Sequence, residues 1–439
     1  MNQETELTSY QIFGLDPEAA KRLRREVRAE VRAENFHKGI LFGLLIGIII
    51  AGFIYCIVTL NKFARQEAES EPVSEQTSIL DDQAIQKMRD IETIIYGKFY
   101  KNEIDAEQIK EGAYRGMLES LNDPYSTYWS ADEFREQTSA AEGIYYGIGA
   151  YVSLDEMTGY PKISGVIDDA PAQEVGLREN DILYEADGQN LQGLSLTEVV
   201  ALIKGEEGTT VKLTIYRESE NEYLDYDVVR RRVESPTVTY EMLDDAMAYI
   251  EITEFDNVTI EQFYEALQTA KDEQMEGLIL DLRANPGGTL TAVLEIAKMM
   301  LPKGLVLYSD NKYGERTEYH CEGLNKIEVP VVVLVDQNSA SAAEVLAGAM
   351  KDHGIATLVG MQTYGKGIIQ QIYELKDGSA IKVTVSSYFT PAGTDINGVG
   401  ITPDVICEFD AEAYYAEESV DNQLEKAIEV LSQKIGESQ

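Results

Sequence analysis

Residues 329–354 have the sequence VPVVVLVDQNSASAAEVLAGAMKDHG. An apolar, β-rich run is followed by a polar Asp-Gln-Asn turn, two serines separated by one residue, and an alanine-rich amphipathic segment. This pattern predicts a strand, a tight loop and a helix. A serine at a helix start faces unpaired backbone N–H groups and the positive end of the helix dipole, which favour negative charge nearby. Ser341 can therefore be a nucleophile, or it can form a capping box with Glu344 that only starts the helix.

The overall composition narrows the classes of partner and cofactor. The chain has 439 residues, enough for two or three domains, and a formal net charge of -40 at pH 7. Such acidity argues against nucleic acid or an anionic membrane surface as a partner. The few cysteines and histidines show no metal-ligand spacing, and we predict neither a metal nor a cofactor. Whether Cys321 and Cys407 form a disulfide is left open.

One apolar segment without charged residues, 39–60, is long enough to cross a bilayer as a helix, which takes about 20 residues. Its length and position favour an uncleaved anchor over a signal peptide. Basic residues are more numerous before the segment than just after it. The positive-inside rule then predicts a single-pass protein in the cytoplasmic membrane, with residues 1–38 as a cytoplasmic tail and the remainder outside. Residues 61–80 are polar and rich in Glu and Ser, which predicts a flexible linker.

The remainder of the chain divides by its periodicity. Apolar residues at helical spacing predict an N-terminal helical region over residues 81–140. Short strands, a tight Asp-Gly turn and one amphipathic helix follow over residues 141–231. Strands alternate with helices over residues 232–410, and repeated βα units predict a sheet with parallel strands whose sites lie at the carboxyl ends of strands. Residues 411–439 predict a C-terminal helical segment.

Candidate catalytic residues lie at these predicted strand ends. The Asn-Pro-Gly-Gly loop, residues 285–288, follows one buried strand, and Ser341 follows the next apolar run. Lys366 lies between two glycines and before an apolar strand, where it shares a face with Gln370 if residues 366–370 are extended. A lysine in a partly dry cleft has a lowered pKa and can act as a general base toward a serine, with Gln370 orienting its amine. The alternative is a surface lysine in a glycine turn.

A glycine loop, YGIG at residues 146–149, precedes the segment APAQEVGLRENDIL and an amphipathic helix. This order resembles a PDZ domain. In that family the glycine loop offers backbone N–H groups to a C-terminal carboxylate, and the peptide adds as a strand between the loop and the helix. The peptide-binding residues implied are Tyr146, Gly147, Ile148, Gly149, Val199 and Leu202. Lys204, at the end of the helix, is placed to bridge toward the rest of the protein.

Five further segments occur in one order: GLILDLRANPGG, NSASAAEVLAGAMKDHG, VGMQTYGKGIIQ, DGSAIKVTVSSYFTPAG and GVGITPDV. Together with LNDPYSTYWSADEF and DNQLEKAIEVL, they closely resemble the carboxyl-terminal processing peptidases, or tail-specific proteases. The resemblance implies a Ser/Lys protease with a crotonase-like core. The predicted fold is therefore α/β, with a crotonase-like protease core of βα units, an inserted PDZ domain, N-terminal helices and one transmembrane helix.

The same resemblance assigns roles to residues by their positions in the motifs. The roles implied are nucleophile for Ser341, general base for Lys366, support of the base for Gln370, oxyanion donors for the backbone N–H groups of Gly287 and Ala342, and supporting acidic residues for Glu344 and Asp352. Ser339 lies in the same loop and is a competing nucleophile. Ala284 and Ala343 depart from the family pattern without removing a reacting group.

The function predicted is that of a membrane-anchored serine endopeptidase outside the cytoplasm. Its PDZ domain would capture the free C-termini of proteins or peptides, and Ser341 with Lys366 would cut upstream. Two alternatives are an inactive PDZ scaffold and an acyl-thioester enzyme, the latter suggested by the crotonase-like core alone. The physiological substrate, the cleavage preference and a homodimer through the helices are left open.

Overall fold

The computed structural model describes residues 78–101, 103–155, 157–416 and 420–438. These residues contain no helix that is long and apolar enough to cross a bilayer. The predicted anchor, residues 39–60, lies outside the described residues, as do the predicted cytoplasmic tail and most of the linker. The membrane anchor therefore stays a prediction.

Helices and strands follow one another closely along the chain. The first half contains α1 (Asp82–Lys98), α2 (Ala106–Glu119), β1 (Thr127–Trp129), α3 (Ala131–Glu142), β2 (Ile144–Gly147), β3 (Ala150–Leu154), β4 (Pro161–Val166), α4 (Pro171–Val175), β5 (Ile182–Ala186), β6 (Gln189–Asn190), α5 (Leu196–Ile203), β7 (Thr210–Arg217), β8 (Glu222–Val229) and β9 (Arg231–Glu234). The second half contains β10 (Val238–Leu243), β11 (Met247–Ile252), α6 (Asn257–Asp272), β12 (Gly277–Asp281), α7 (Leu290–Met300), β13 (Gly304–Asn311), β14 (Arg316–Cys321), β15 (Val331–Val335), α8 (Ala342–Asp352), β16 (Ala356–Gly360), β17 (Ile368–Glu374), β18 (Ala380–Phe389), β19 (Val405–Ile406), α9 (Ala411–Tyr414) and α10 (Asn422–Ser438).

The predicted N-terminal helices begin at aspartate caps. In the unit that ends at Ile104, the Asp81 carboxylate accepts a hydrogen bond from the N–H of Ala84 at 2.7 Å and starts α1. In the unit that follows, the Asp105 carboxylate accepts hydrogen bonds from the second and third residues of α2. Apolar residues of α1 are exposed, among them Ile85, Met88 and Ile91.

The PDZ-like region is an antiparallel sheet inserted between two paired strands. Its strand order is β3-β4-β5-β7-β8, with β6 paired to β5. The sheet and α5 enclose a core of their own, in which Leu183, Val199 and Leu213 are fully buried. Strands β2 and β9 pair where the chain enters and leaves the region. The region is therefore connected to the remainder of the protein by a two-stranded ribbon.

The protease core contains a mostly parallel sheet of order β10-β11-β12-β15-β16-β19, in which only β10 runs antiparallel to its neighbour. Side chains alternate between its two faces, as strand geometry requires. Leu278 and Leu280 pack in the cluster that includes α6, α7 and α8, whereas Ile279 packs against Ala427 and Leu431 of α10. The sheet is therefore covered by helices on both faces.

The parallel pairing brings the predicted site loops together. Strands β12, β15 and β16 are consecutive neighbours in the sheet. The Asn-Pro-Gly-Gly loop follows β12, Ser341 follows β15, and the segment leading to Lys366 follows β16. A second, antiparallel sheet contributes β17 and β18, and β1 also pairs with β18. Three carboxyl ends of strands thus meet at one edge of the sheet, where sites of parallel sheets form.

Cys321 and Cys407, whose pairing the sequence left open, are both free thiols. Cys321 is buried in the core, and Cys407 is only partly buried. The structure therefore contains no disulfide between them.

Candidate active site

Ser341 lies directly before α8 with an unusual backbone. Its φ of 53° and ψ of -114° fall outside the regions that non-glycine residues ordinarily occupy. Such a conformation costs on the order of 1–3 kcal/mol and persists where neighbouring contacts enforce it, which is frequent at functional sites. Ser339, in contrast, is fully buried, and its Oγ donates a hydrogen bond to the carbonyl of Leu282 at 2.7 Å. Of these two serines, only Ser341 is partly exposed.

Glu344 connects the nucleophile loop to the segment that carries Lys366. Its carboxylate is fully buried. One oxygen, Oε2, accepts the N–H of Ser341 at 2.9 Å and the N–H of Lys366 at 2.9 Å. The other, Oε1, accepts the N–H of Gly365 at 2.8 Å and the hydroxyl of Thr363 at 2.6 Å. Glu344 thus makes its half of the predicted capping box and, in addition, fixes the backbone of both candidate catalytic residues.

The backbone of Lys366 is held by hydrogen bonds, but its amine is not bonded to Ser341 as the predicted mechanism requires. The hydroxyl of Tyr388 lies within hydrogen-bonding reach of the carbonyls of Ser341 and Lys366. Among the described residues, Lys366 Nζ makes no hydrogen bond to Ser341; it lies 4.7 Å from the centroid of the Tyr125 ring. Burial, and then the nearby positive charge of Lys382, lower the pKa of Lys366. A lowered pKa favours the neutral amine, the form that can accept a proton.

The Asn-Pro-Gly-Gly loop touches the start of α8. At Gly287 φ is 103°, and a Cβ there would lie 2.7 Å from Ser341 Cβ and 2.9 Å from the nitrogen of Ala342. Only glycine therefore allows this approach. Among the described residues the N–H of Ala342 has no acceptor, whereas the N–H of Gly287 is donated to Asn285 Oδ1 at 2.8 Å. Both predicted oxyanion donors are thus beside Ser341, but one of them is already in a hydrogen bond.

Two of the predicted supporting residues do not make the predicted contacts: Gln370 lines the cavity beside Ser341, and Asp352 lies at the far end of α8. The Gln370 amide is within 3.4 Å of the carbonyl of Ile368 and of Thr384 Oγ1, and it makes no hydrogen bond to Lys366 among the described residues. A register shift between Ile369 and Gln370 changes the simple alternation from which its orientation was predicted. Asp352 is the last residue of α8, a helix of 11 residues, and so lies about 15 Å from Ser341. Its carboxylate accepts the N–H of Ala392 at 2.8 Å.

A small cavity with a mixed polar and apolar lining opens beside Ser341. It has a volume of about 110 Å³, and its apolar wall comes from α7, α8 and the second sheet: Leu290, Val293, Leu307, Val345, Ile369 and Tyr388. This composition suits an aliphatic side chain of limited size next to the bond that Ser341 would attack.

Sequence reasoning missed three residues that hold the loops. Asn285 is fully buried, and its amide donates to the carbonyl of Ile252 at 2.6 Å. Asp336 Oδ1 accepts the N–H of Ala284 at 2.9 Å and the N–H of Ser339 at 3.0 Å, so it binds both loops. Asn and Asp at strand ends are a general turn signal that does not distinguish such cross-loop contacts. Tyr388 belongs to an alternating strand pattern, which gave no sign that its hydroxyl reaches the site.

The PDZ-like groove differs in detail from the prediction. The groove is lined by Gly147, Ile148 and Gly149 of the glycine loop, as predicted. Its tyrosine is Tyr145, and its helix residues are Val200 and Ile203. Val199 is fully buried in the core of the region, and neither Leu202 nor Tyr146 lines the groove. The side of α5 that faces the groove is thus formed by Val200 and Ile203, each one residue after the predicted Val199 and Leu202.

Lys204 also departs from its predicted position. Its amine lies 5.2 Å from the centroid of the Tyr145 ring at the mouth of the groove. Tyr145 lies on β2, at the base of the PDZ-like region, so this contact does not reach the protease core. The prediction that Lys204 bridges toward the core is therefore not supported by its contacts.

Three known protein families match separate parts of the chain. Peptidase family S41 matches residues 246–407, and a PDZ domain matches residues 162–217. The N-terminal domain of the activating protease CtpB matches residues 47–133.

Similar proteins cover most of the chain. It is 32% identical to the carboxy-terminal processing protease CtpB of Bacillus subtilis over 356 residues, which cover 80% of this chain and 74% of that protein. It is 33% identical to the carboxy-terminal-processing protease of Bartonella bacilliformis over 319 residues, 69% of this chain and 70% of that protein. The solved structure of a photosystem II D1 C-terminal processing protease shares 30% identity and covers 74% of this chain and 86% of its own, with a TM-score of 0.44.

The sequence matches decide between the three functions considered. They favour the protease over an inactive scaffold and over an acyl-thioester enzyme, because the match to family S41 spans the Asn-Pro-Gly-Gly loop, Ser341 and Lys366 together. The chain therefore belongs to the carboxyl-terminal processing peptidases of family S41, which are serine-type endopeptidases, and it contains a PDZ domain.

Proposed function

We propose that Ser341 is the nucleophile and Lys366 the general base of a Ser/Lys endopeptidase that acts on protein C-terminal tails. The observation that carries this proposal is the Glu344 carboxylate, which accepts the backbone N–H groups of both residues. The unusual backbone of Ser341, the unpaired N–H of Ala342 and the lowered pKa of Lys366 support it further. A base that can be neutral and a free oxyanion donor are requirements of nucleophilic catalysis by a serine, and a strained backbone is frequent at such sites.

In the proposed reaction the neutral amine of Lys366 takes the hydroxyl proton of Ser341 while Oγ attacks the carbonyl carbon of the scissile bond. The N–H groups of Ala342 and Gly287 donate to the oxyanion that forms. Lys366 then transfers the proton to the leaving nitrogen, and the peptide bond breaks. A water molecule, deprotonated by the same amine, attacks the acyl-enzyme, and Lys366 returns that proton to Ser341 Oγ as the acyl group leaves.

Two adjustments precede this reaction. The amine of Lys366 comes within hydrogen-bonding distance of Ser341 Oγ, and the N–H of Gly287 is shared between Asn285 and the oxyanion. Both changes are confined to side chains or to one hydrogen bond. Catalytic contacts are often long or misaligned without substrate and shorten when it binds.

The substrate class follows from two sites, each of which has an apolar wall. The cavity beside Ser341 favours alanine or another small aliphatic residue before the cleaved bond. The PDZ groove, with Ile148, Val152 and Ile203, suits an apolar C-terminal side chain whose carboxylate meets the loop N–H groups. We therefore propose that the substrates are proteins with exposed apolar C-termini.

Two quenched-fluorescence peptides test this proposal. Both contain alanine at the cleavage position and valine at the C-terminus, and one ends in a free carboxylate while the other ends in an amide. Because hydrogen bonds to a charged group contribute about 1.5–3 kcal/mol, we expect the amide to raise KM about tenfold or more. The Ser341→Ala variant is the control and should cleave neither peptide. Equal KM values for the two peptides would exclude recognition of the C-terminal carboxylate.

We further propose that residues 39–60 anchor the protein in the cytoplasmic membrane with the protease outside. The support is the uncharged apolar length of this segment and the excess of basic residues before it. Protease added to intact cells stripped of their outer layers should remove a C-terminal tag and leave an N-terminal tag intact. Loss of the N-terminal tag alone would reverse the orientation, and recovery of the whole chain without membranes would refute the anchor.

A further inference from the structure

The amine of Lys366 has one neighbour that the proposed mechanism does not use. Among the described residues it has no hydrogen-bond acceptor and no carboxylate within ion-pair distance, and its contact is the face of Tyr125 at 4.7 Å. A lysine side chain has many rotamers, and its backbone alone does not decide where the amine lies. Glu344 and Tyr388 fix only the backbone of Lys366. The ring of Tyr125 is therefore the described side chain that can restrict the position of the amine.

Tyr125 is itself held rigidly by a turn. Asp123 Oδ1 accepts the N–H of Tyr125 at 3.1 Å, and its Oδ2 accepts the hydroxyl of Ser126 at 2.6 Å. The Ser126 Oγ in turn accepts the N–H of Thr384 at 3.0 Å. Ser126 is buried. The turn is thus bonded directly to β18, a strand of the sheet that contains β17 just after Lys366.

The strand pairing extends this attachment beyond the turn. Strand β1 begins two residues after Tyr125 and pairs antiparallel with β18, with Thr127 opposite Lys382. Strand β17 pairs with the same β18. Through β18, the segment that carries Tyr125 and the strand that follows Lys366 are parts of one sheet. The backbone that carries the ring is therefore held beside the strand that follows Lys366.

The aromatic face offers the amine an attractive surface whether or not the phenol oxygen is present. The negative face of an aromatic ring attracts the protonated amine, which is the form that Lys366 has after it takes the proton of Ser341, and a phenylalanine ring does so as well as a tyrosine ring to a first approximation. The neighbouring Tyr364 hydroxyl, and then burial, raise the pKa of the Tyr125 phenol. The phenol is therefore neutral when the protease works, and its attraction for the amine comes from the ring.

We propose that Tyr125 is a positioning residue for the general base: its ring face limits the conformations of the Lys366 side chain and so keeps the amine near Ser341. The Asp-Pro-Tyr-Ser turn, which lies before the PDZ region in sequence, thereby becomes part of the protease site. This inference rests on the proposed role of Lys366 as the base.

The test compares substitutions that keep or remove the ring. Tyr125→Phe keeps the ring, and we expect its kcat for the free-carboxylate peptide to stay within about twofold of the wild type. Tyr125→Leu removes the ring, and we expect kcat to fall about tenfold or more while KM changes less than about twofold, because misplacing a catalytic group affects the chemical step. Tyr125→Met is a second ringless variant, with a flexible side chain that fills irregular space. Tyr373→Leu, a tyrosine on the exposed end of β17, is the matched surface control.

The outcomes separate this inference from the proposed function. Thermal melting of each variant shows whether the turn still folds, and the Met variant replaces the Leu variant if the latter melts early. Wild-type kcat in both ringless variants overturns the positioning role, and so does an equal loss in Tyr125→Phe. A rise in KM with unchanged kcat would instead assign Tyr125 to substrate binding and also overturns it. Lys366→Ala is measured in parallel: if it is inactive while the ringless variants are normal, only the positioning role fails, and if it is active the base assignment fails.

Discussion

Replacing Ser341 with alanine is expected to abolish peptide cleavage, with kcat lower by a factor on the order of 10⁴ or more. The residue supplies the atom that attacks the substrate, and removal of a nucleophile leaves only the contribution of binding and oxyanion stabilisation. The folded state should be little affected, because the side chain is partly exposed and the hydrogen bond to Glu344 uses the backbone N–H. Hydrolysis of the free-carboxylate peptide and thermal melting measure the two effects separately.

Ser339 provides the matched control for this experiment. It differs from Ser341 in that its hydroxyl is buried and bonded to the carbonyl of Leu282, while it accepts the N–H of Asp336 at 2.9 Å. Ser339→Ala should therefore lower stability by about 1–3 kcal/mol and retain cleavage activity in the fraction that is folded. Full activity of Ser341→Ala together with inactivity of a folded Ser339→Ala would transfer the nucleophile to the other serine.

Replacing Lys366 with alanine is expected to lower kcat about 10³-fold at neutral pH. General acid–base catalysis contributes about 10²–10⁴-fold, and in this site one amine serves both half-reactions. Because Glu344 holds this segment through the backbone N–H of Lys366, the substitution should leave the loop in place. The measurement is single-turnover hydrolysis with the melting temperature as a check on folding. Wild-type turnover at neutral pH would exclude Lys366 as the base.

The pH profile gives the same assignment a second test. The active form of Lys366 is the neutral amine, so kcat/KM should rise with pH and level off once the pH exceeds the pKa of Lys366. Burial and the charge of Lys382 lower this pKa from 10.5. The rising limb of the pH profile, where kcat/KM increases, therefore lies at a lower pH than it would for a free lysine. Lys382→Met removes the like charge and should shift the limb to higher pH with little change in the plateau. An unchanged pH dependence in this variant would mean that the charge of Lys382 does not act on the group that titrates.

Much of this site could be predicted because its position follows from chain periodicity. An apolar strand, a polar turn and a helix place Ser341 at the carboxyl end of a strand, and the Asn-Pro-Gly-Gly loop obeys the same rule. The sheet order then brings both to one edge. The capping-box pattern of Ser341 and Glu344 was likewise readable from the sequence.

The remaining features depend on contacts between distant parts of the chain. A capping glutamate has only a local pattern, and nothing in it showed that Glu344 also binds Lys366. The ring of Tyr125 reaches the lysine only because β1 pairs with β18. On α5, periodicity identified a helix but not which side faces the groove, and moving by one residue rotates a side chain by about 100°. Val199, which was predicted to face the groove, therefore points into the core, and Val200 lines the groove instead.

The buried carboxylate of Glu344 also determines how the segment with Lys366 can separate from the nucleophile loop. The segment from Thr363 to Lys366 supplies three of its four hydrogen-bond donors, and Ser341 supplies the fourth. If that segment withdrew, the carboxylate would lose those three donors at once and keep only the N–H of Ser341, and a buried charge with so few partners is strongly unfavourable. Partial withdrawal is therefore the least stable arrangement. The nucleophile and the base should be assembled or separated as a unit, so that activity changes between two discrete levels and not gradually.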